Sequence, residues 1–250
     1  MEAYVTRHDS PEGITEIEFF HPAHNSLPGT ILKKLADTIT SCGEDDSVSV
    51  IILKSGGDRT FCAGASFDEL VHIDDFETGK KFFMGFAQVI NACRRCPKLV
   101  IGRVQGKAVG GGVGIAATVD YCMATKFASV KLSELNVGIG PFVVGPAVER
   151  KIGLSAMSQM TINADNFYPA EWARSQGLFA DVFEDITSLD TAVMKLAKYL
   201  VATNPEARSA LKEVFWQGYE HWDRLLEERA AMSGKLVLSA FTKKALKNYK

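Results

Sequence analysis

The sequence predicts an α/β fold followed by a helical tail, on three observations. Short β-branched runs alternate with segments whose apolar residues recur at helical spacing as far as about Ser188. Beyond that point only helical patterns follow. Two glycine-containing turns, around residues 61–65 and 106–114, join strands to helices. The predicted division is an α/β core over residues 1–188 and a helical region over 189–250.

Tyr4 to Arg7 and Ile14 to Phe20 read as short strands joined by the turn Ser10-Pro11-Glu12-Gly13. His21 to Ser26 is a loop, and Ile31, Leu32, Leu35 and Ile39 then mark a helix. Ser47 to Lys54 is a buried strand closed by Gly56-Gly57-Asp58. Between Thr78 and Cys93 a helix carries Phe82, Phe83, Phe86, Val89, Ile90 and Cys93 on one face, and Pro97 stops it. Lys98 to Val104 is the next strand. The run Gly106 to Gly114 leads into a small-residue helix over Ile115 to Val119, and strands follow around Tyr121 to Ala124 and Ser129 to Leu132. In the tail, Val193, Leu196 and Leu200 form one stripe, Leu211, Val214 and Phe215 a second, and Leu225 and Leu226 belong to a third.

Composition removes several classes. A chain of 250 residues, 46% of them hydrophobic, can bury a full core. With 28 basic and 30 acidic residues, net −2, neither sign dominates, which argues against nucleic-acid and membrane-surface partners. Glu2, Arg7, His8 and Asp9 leave no room for the apolar stretch of a secretory signal, and no run is long enough to span a bilayer. The cysteines, Cys42, Cys62, Cys93, Cys96 and Cys122, are odd in number and point to free thiols in a reducing cytoplasm. Cys93 and Cys96 form a CxxC, but no second pair completes a tetrahedral site, so they read as two thiols near a helix end and no metal is expected.

The chemistry-bearing segments are the two turns. Gly110-Gly111-Gly112 follows a strand and opens a helix, where bare backbone N–H groups and the helix dipole favour negative charge. A phosphate or a developing enolate oxygen would suit it. No GxGxxG occurs and no P-loop Lys-Ser/Thr follows, so a dinucleotide or nucleotide site is disfavoured. Phe61-Cys62-Ala63-Gly64-Ala65 is a second turn of small residues upstream. Two such turns can aim two N–H groups at one oxygen, an oxyanion hole, with each donor contributing roughly 10²–10³ in rate.

With Asn25-Ser26-Leu27, Phe61 to Ala65, Gly106 to Asp120 and Ser133-Glu134 to Gly138 in this order, the sequence resembles the crotonase (enoyl-CoA hydratase/isomerase) superfamily over nearly its whole length. The resemblance implies a spiral of ββα turns with a C-terminal helical trimerisation region, assembled as a homotrimer or homohexamer. It implies an acyl-CoA ligand, coenzyme A being part of the substrate, and no metal, flavin or nicotinamide. The amides of Ala65 and Gly111 fall at the oxyanion-hole positions and Glu134 at the acid/base position. Ala63, Gly64, Gly110, Gly114, Phe142, Phe241 and Lys244 are the implied substrate contacts, with Lys243, Lys244 and Lys247 forming a basic end that meets CoA phosphates. Apolar neighbours Leu132, Val137, Phe142 and Val143 are expected to raise the Glu134 pKa by desolvation.

The best-known hydratases use two glutamates. Gly114 stands where the first would be, and only Glu134 remains. The pattern is nearest to bacterial methylglutaconyl-CoA hydratase-like members of leucine breakdown, which favours hydration or dehydration of a short or branched enoyl-CoA. A Δ3,Δ2-enoyl-CoA isomerase with one glutamate, a decarboxylase and a non-catalytic acyl-CoA binder are the alternatives. A dehalogenase would need an aspartate shortly after Gly138-Ile139-Gly140, where Pro141-Phe142 stand. Asp120 is expected to make structural hydrogen bonds, Asp68 and Glu69 to cap a helix, and His24 and His72 to lie on the surface.

Overall fold

A computed structural model describes residues 2–247. The chain opens with an antiparallel hairpin, β1 (Tyr4–Asp9) and β2 (Ile14–Phe20), whose turn is closed by Gly13 at φ +84°. A short β3 (Ser26–Leu27) leads into α1 (Gly29–Glu44), which buries Ile31, Leu32, Leu35 and Ile39 as their spacing predicts.

A spiral follows. Its first turn is β4 (Val50–Ser55), β5 (Thr60–Cys62), β6 (Gly64–Ala65), α2 (Phe67–Leu70) and α3 (Phe76–Arg95). The second is β7 (Leu99–Val104), β8 (Lys107–Val109) and α4 (Gly111–Thr118). The third is β9 (Tyr121–Thr125), β10 (Ser129–Lys131), a 3-10 turn (Glu134–Val137) and α5 (Gly145–Ile162). Next come β11 (Tyr168–Pro169), α6 (Ala170–Ser175), β12 (Asp181–Phe183) and α7 (Ile186–Val201), then α8 (Pro205–Trp216), α9 (Trp222–Leu236) and α10 (Ala240–Lys247).

Each turn gives one strand to each of two sheets. The six-stranded sheet runs β1-β2-β4-β7-β9-β12 and is parallel from β2 onward, and the four-stranded sheet runs β11-β10-β8-β5. Both faces of the central strands β4 and β7 are covered, so these two are buried almost throughout, whereas β1 and β2 carry polar residues. Ile51 and Leu53 point into the main core with α1 and α3, whereas Val50 and Ile52 point to Leu189, Val193 and Ala197 of α7.

Boundaries move where side chains cap the backbone. The strand expected from Ser47 begins at Val50, because Asp45 takes the Ser47 N–H at 2.9 Å and turns the chain. The phenylalanine-rich helix opens at Phe76, because Asp75 accepts from the Thr78 N–H at 2.9 Å. The small-residue helix opens at Gly111 rather than Ile115.

The tail helices share cores with what precedes them. α7 lies on the sheet, and α9 runs along α3 with Arg94 on Asp223 at 2.7 Å. α8 is turned so that Arg208, Lys212 and Trp216 are buried while Leu211, Val214 and Phe215 face outward. Asp120 explains that orientation. It accepts from the Val100 N–H at 2.8 Å, from Lys212 Nζ at 2.6 Å and from Trp216 Nε1 at 3.2 Å. Among the described residues no helix is long and apolar enough to cross a membrane.

Candidate active site

Two turns meet beneath one cavity. Gly64, the first residue of β6, has φ +93°, a conformation that favours glycine. A Cβ there would lie 3.1 Å from the Val109 carbonyl oxygen and 3.6 Å from the Gly111 nitrogen, so the backbones of the two turns run against each other. Gly110, at φ +53°, ends β8 and donates its N–H to the Lys131 carbonyl at 2.8 Å, which ties the start of α4 to β10. The Gly111 N–H lies in the first turn of α4, where amides have no partner within the helix and the dipole is positive. The ring of Phe86 packs so closely beneath Gly111 that a Cβ would sit 2.2 Å from its Cζ.

The Ala65 amide is aimed by β3. The Ser66 N–H donates to the Leu27 carbonyl at 3.0 Å, and adjacent N–H groups of extended chain point to opposite sides. The Ala65 N–H therefore turns away from β3. Ala65 and Gly111 both border a cavity of about 330 Å³, together with Ala63, Gly64 and Gly110.

Glu134 starts the 3-10 turn that follows β10, and Gly138 at φ +78° closes that turn. The carboxylate lies directly over Gly110, where a Cβ would be only 2.9 Å from Oε1. Its other oxygen, Oε2, is out of reach of solvent and has no hydrogen-bond partner. Burial pushes the carboxyl pKa up to about 7, a shift slightly opposed by a hydrogen bond from the residue's own backbone. Of the four neighbours expected to desolvate it, Val137, Phe142 and Val143 line the same cavity, while Leu132 is buried in the main core.

The rest of the lining is apolar. Leu70, Phe82, Phe83, Phe86, Ile139 and Val144 dominate it, and Lys131 and Glu134 are the charged residues on its wall. Sequence reasoning placed Phe82, Phe83 and Phe86 on a helix face without assigning them to the site. It missed Lys131, Phe167 and Ser233, which long-range folding brings to the wall from β10, the segment before β11 and α9.

Three residues expected to contact substrate lie off this wall. Gly114 does not border the cavity but is buried beneath Val144, whose Cγ1 would be 2.5 Å from a Cβ at that position. Phe241 packs against Gly138 on the outer side of the 3-10 turn and is 68% exposed, off the cavity wall. Lys244 also lies off that wall, while Lys243 and Lys247 border a separate hollow with His72. Glu69 caps α1 rather than its own helix, accepting from the Gly29 N–H at 2.9 Å. His24 and His72 are exposed. All five thiols are buried and unbridged, and burial raises the Cys93 and Cys96 pKa values.

Backbone donors beside a desolvated carboxylate in an apolar cavity form a site able to hold an oxyanion while one proton is moved. The chain belongs to the enoyl-CoA hydratase/isomerase family, whose model matches residues 9–250. It is 30% identical over 199 residues to the short-chain-enoyl-CoA hydratase of Clostridium acetobutylicum, covering 79% of this chain and 75% of that protein. It is also 30% identical over 200 residues to the mitochondrial methylglutaconyl-CoA hydratase of Mus musculus, covering 78% of this chain and 63% of that one. The crystal structure of enoyl-CoA hydratase from Bacillus halodurans superposes with a TM-score of 0.91 at 20% identity, over 98% of this chain and 99% of that chain, which shows the shared fold.

Proposed function

We propose that the chain hydrates a short or branched enoyl-CoA, or dehydrates the corresponding 3-hydroxyacyl-CoA, through a thioester enolate with Glu134 as its single acid–base group. The observation that carries this reading is the unpaired, solvent-excluded Oε2 of Glu134 beside the turn that presents the Gly111 amide. In the hydration direction the Glu134 carboxylate takes a proton from water as the water oxygen bonds to C3. The thioester oxygen gains the displaced charge and is held by the N–H groups of Ala65 and Gly111. The protonated Glu134 then returns its proton at C2. A carboxyl group with a pKa near 7 is suited to both directions.

The substrate carries its own coenzyme A, and the reading needs no metal, flavin or nicotinamide. The outward stripe Leu211, Val214 and Phe215 supports assembly of copies as a trimer or hexamer, and the five unbridged thiols support a cytoplasmic setting.

A second reading, Δ3,Δ2-enoyl-CoA isomerisation, is favoured by Val144 filling the space over Gly114, which leaves one carboxylate on the wall. There Glu134 would take a proton from C2 and return it at C4. Turnover in ¹⁸O-labelled water and in deuterium oxide separates the two. Hydration places ¹⁸O at C3 and solvent deuterium at C2, whereas isomerisation leaves the product free of ¹⁸O and carries the C2 hydrogen to C4. Turnover undiminished by Glu134→Gln would refute both readings.

A further inference from the structure

We propose that Ser26 is a positioning residue for the enolate-forming step, its hydroxyl holding the peptide backbone that aims the Ala65 N–H. The inference rests on the proposed enolate chemistry, in which that N–H holds the thioester oxygen.

The segment presenting the Ala65 amide is only two strand residues long, and the first of them, Gly64, is at positive φ. Its pairing with β3 covers only Ser26 opposite Gly64 and Leu27 opposite Ala65. So short a ladder fixes few dihedrals, and a glycine at its start leaves the peptide free to tilt. Three bonds from Asn25–Leu27 remove that freedom. The Asn25 carbonyl accepts from the Ala63 N–H at 3.1 Å, and the Leu27 carbonyl accepts from the Ser66 N–H at 3.0 Å. Between them the Ser26 hydroxyl donates to the Ala65 carbonyl at 2.9 Å. That side-chain bond acts on Ala65 itself and fixes its ψ from the carbonyl end.

Asn25 supports this clamp from behind. It is buried at φ +56°, accepts from the His21 N–H at 2.7 Å, and donates to the Gly56 and Thr60 carbonyls, each at 2.9 Å. It thereby fixes both the loop that carries Ser26 and the strand that delivers residues 63–65. Asn25 is too deeply bonded to test cleanly, whereas Ser26 is only half-buried.

The test is Ser26→Ala, with Ser26→Thr as rescue and Ser26→Cys, near-isosteric but a weak donor, should the alanine variant not melt cooperatively. The first readout is exchange of the α-protons of butyryl-CoA in deuterium oxide, followed by NMR. It reports enolate formation without requiring hydration or isomerisation. A small displacement of a reacting group can cost as much as about 10² in rate, and for loss of one bond to the clamp we expect roughly a tenfold fall in exchange rate and in kcat. KM should stay within about twofold, the pH midpoint should be unchanged because Glu134 is untouched, and Ser26→Thr should recover most of the loss. Exchange and kcat at the wild-type level in Ser26→Ala or Ser26→Cys would overturn the proposal. So would a loss confined to KM, or one that Ser26→Thr does not recover at an unaltered melting temperature. Absence of exchange in the wild type itself would instead bring down the enolate reading, and this inference with it.

Discussion

Glu134→Gln should make the protein more stable at alkaline pH while abolishing turnover. The carboxyl pKa is 4.5 in a free glutamate and about 7 in the fold. Below pH 4.5 both folded and unfolded chains hold the proton, and Glu134 contributes no pH dependence. As pH rises, the unfolded chain releases its proton first while the folded chain must keep it or bury a charge. Folding is therefore penalised progressively up to about pH 7 and by a constant amount beyond it. At about 1.4 kcal/mol for each pH unit of that gap, the full penalty is of order 3 kcal/mol. For a chain of this size that corresponds to roughly 6–12 °C in melting temperature. A buried glutamine amide adds an offset of its own, but one that does not vary with pH. The assay is thermal and urea unfolding of both proteins between pH 4.5 and 8.5 at one fixed protein concentration, since assembly shifts apparent stability. The variant's advantage should grow with pH and level off above about pH 7. Curves that stay parallel across the range would refute a desolvated carboxyl group at Glu134.

In the wild type, kcat/KM for hydration should rise with pH through about 7 as the carboxylate forms, measured with a short enoyl-CoA in stopped flow. Gly114→Ala should cost roughly 1–3 kcal/mol by overpacking against Val144, with stability recovered in Gly114→Ala/Val144→Ala, as urea titrations would show. Gly64→Ala should reduce kcat by about 10² or more, because the new Cβ meets Val109 in a left-handed conformation and displaces the Ala65 amide. Asp120→Ala should destabilise by roughly 3–5 kcal/mol, since Lys212 would be left buried without its partner, visible as a lowered urea midpoint.

The sequence carried the fold where local pattern and burial agree. The spacing of Ile31, Leu32, Leu35 and Ile39 predicts α1 because those positions are the ones it buries. The apolar run through Val104 predicts a strand covered on both faces. Three-dimensional closure is what the pattern could not express. α8 shows it best, because its apolar stripe faces out and its cations face in, Lys212 onto Asp120 of a distant loop and Arg208 onto the Leu200 and Thr203 carbonyls. The site divides in the same way. Gly64, Gly111 and Glu134 were readable because their chemistry depends on residue type at fixed places along the chain. The surroundings of Gly114 and Phe241 depend on which neighbour stands closest, Val144 for the first and Gly138 for the second.

The claim beneath the whole account is that the amides of Ala65 and Gly111 polarise one thioester oxygen. Isotope-edited infrared spectroscopy of butyryl-CoA labelled with ¹³C at the thioester carbonyl tests it most directly. On binding, the carbonyl band should move to lower frequency in the wild type and equally in Glu134→Gln, because the backbone donors are the same in both. A bound thioester whose band stays where it lies in water would contradict the account.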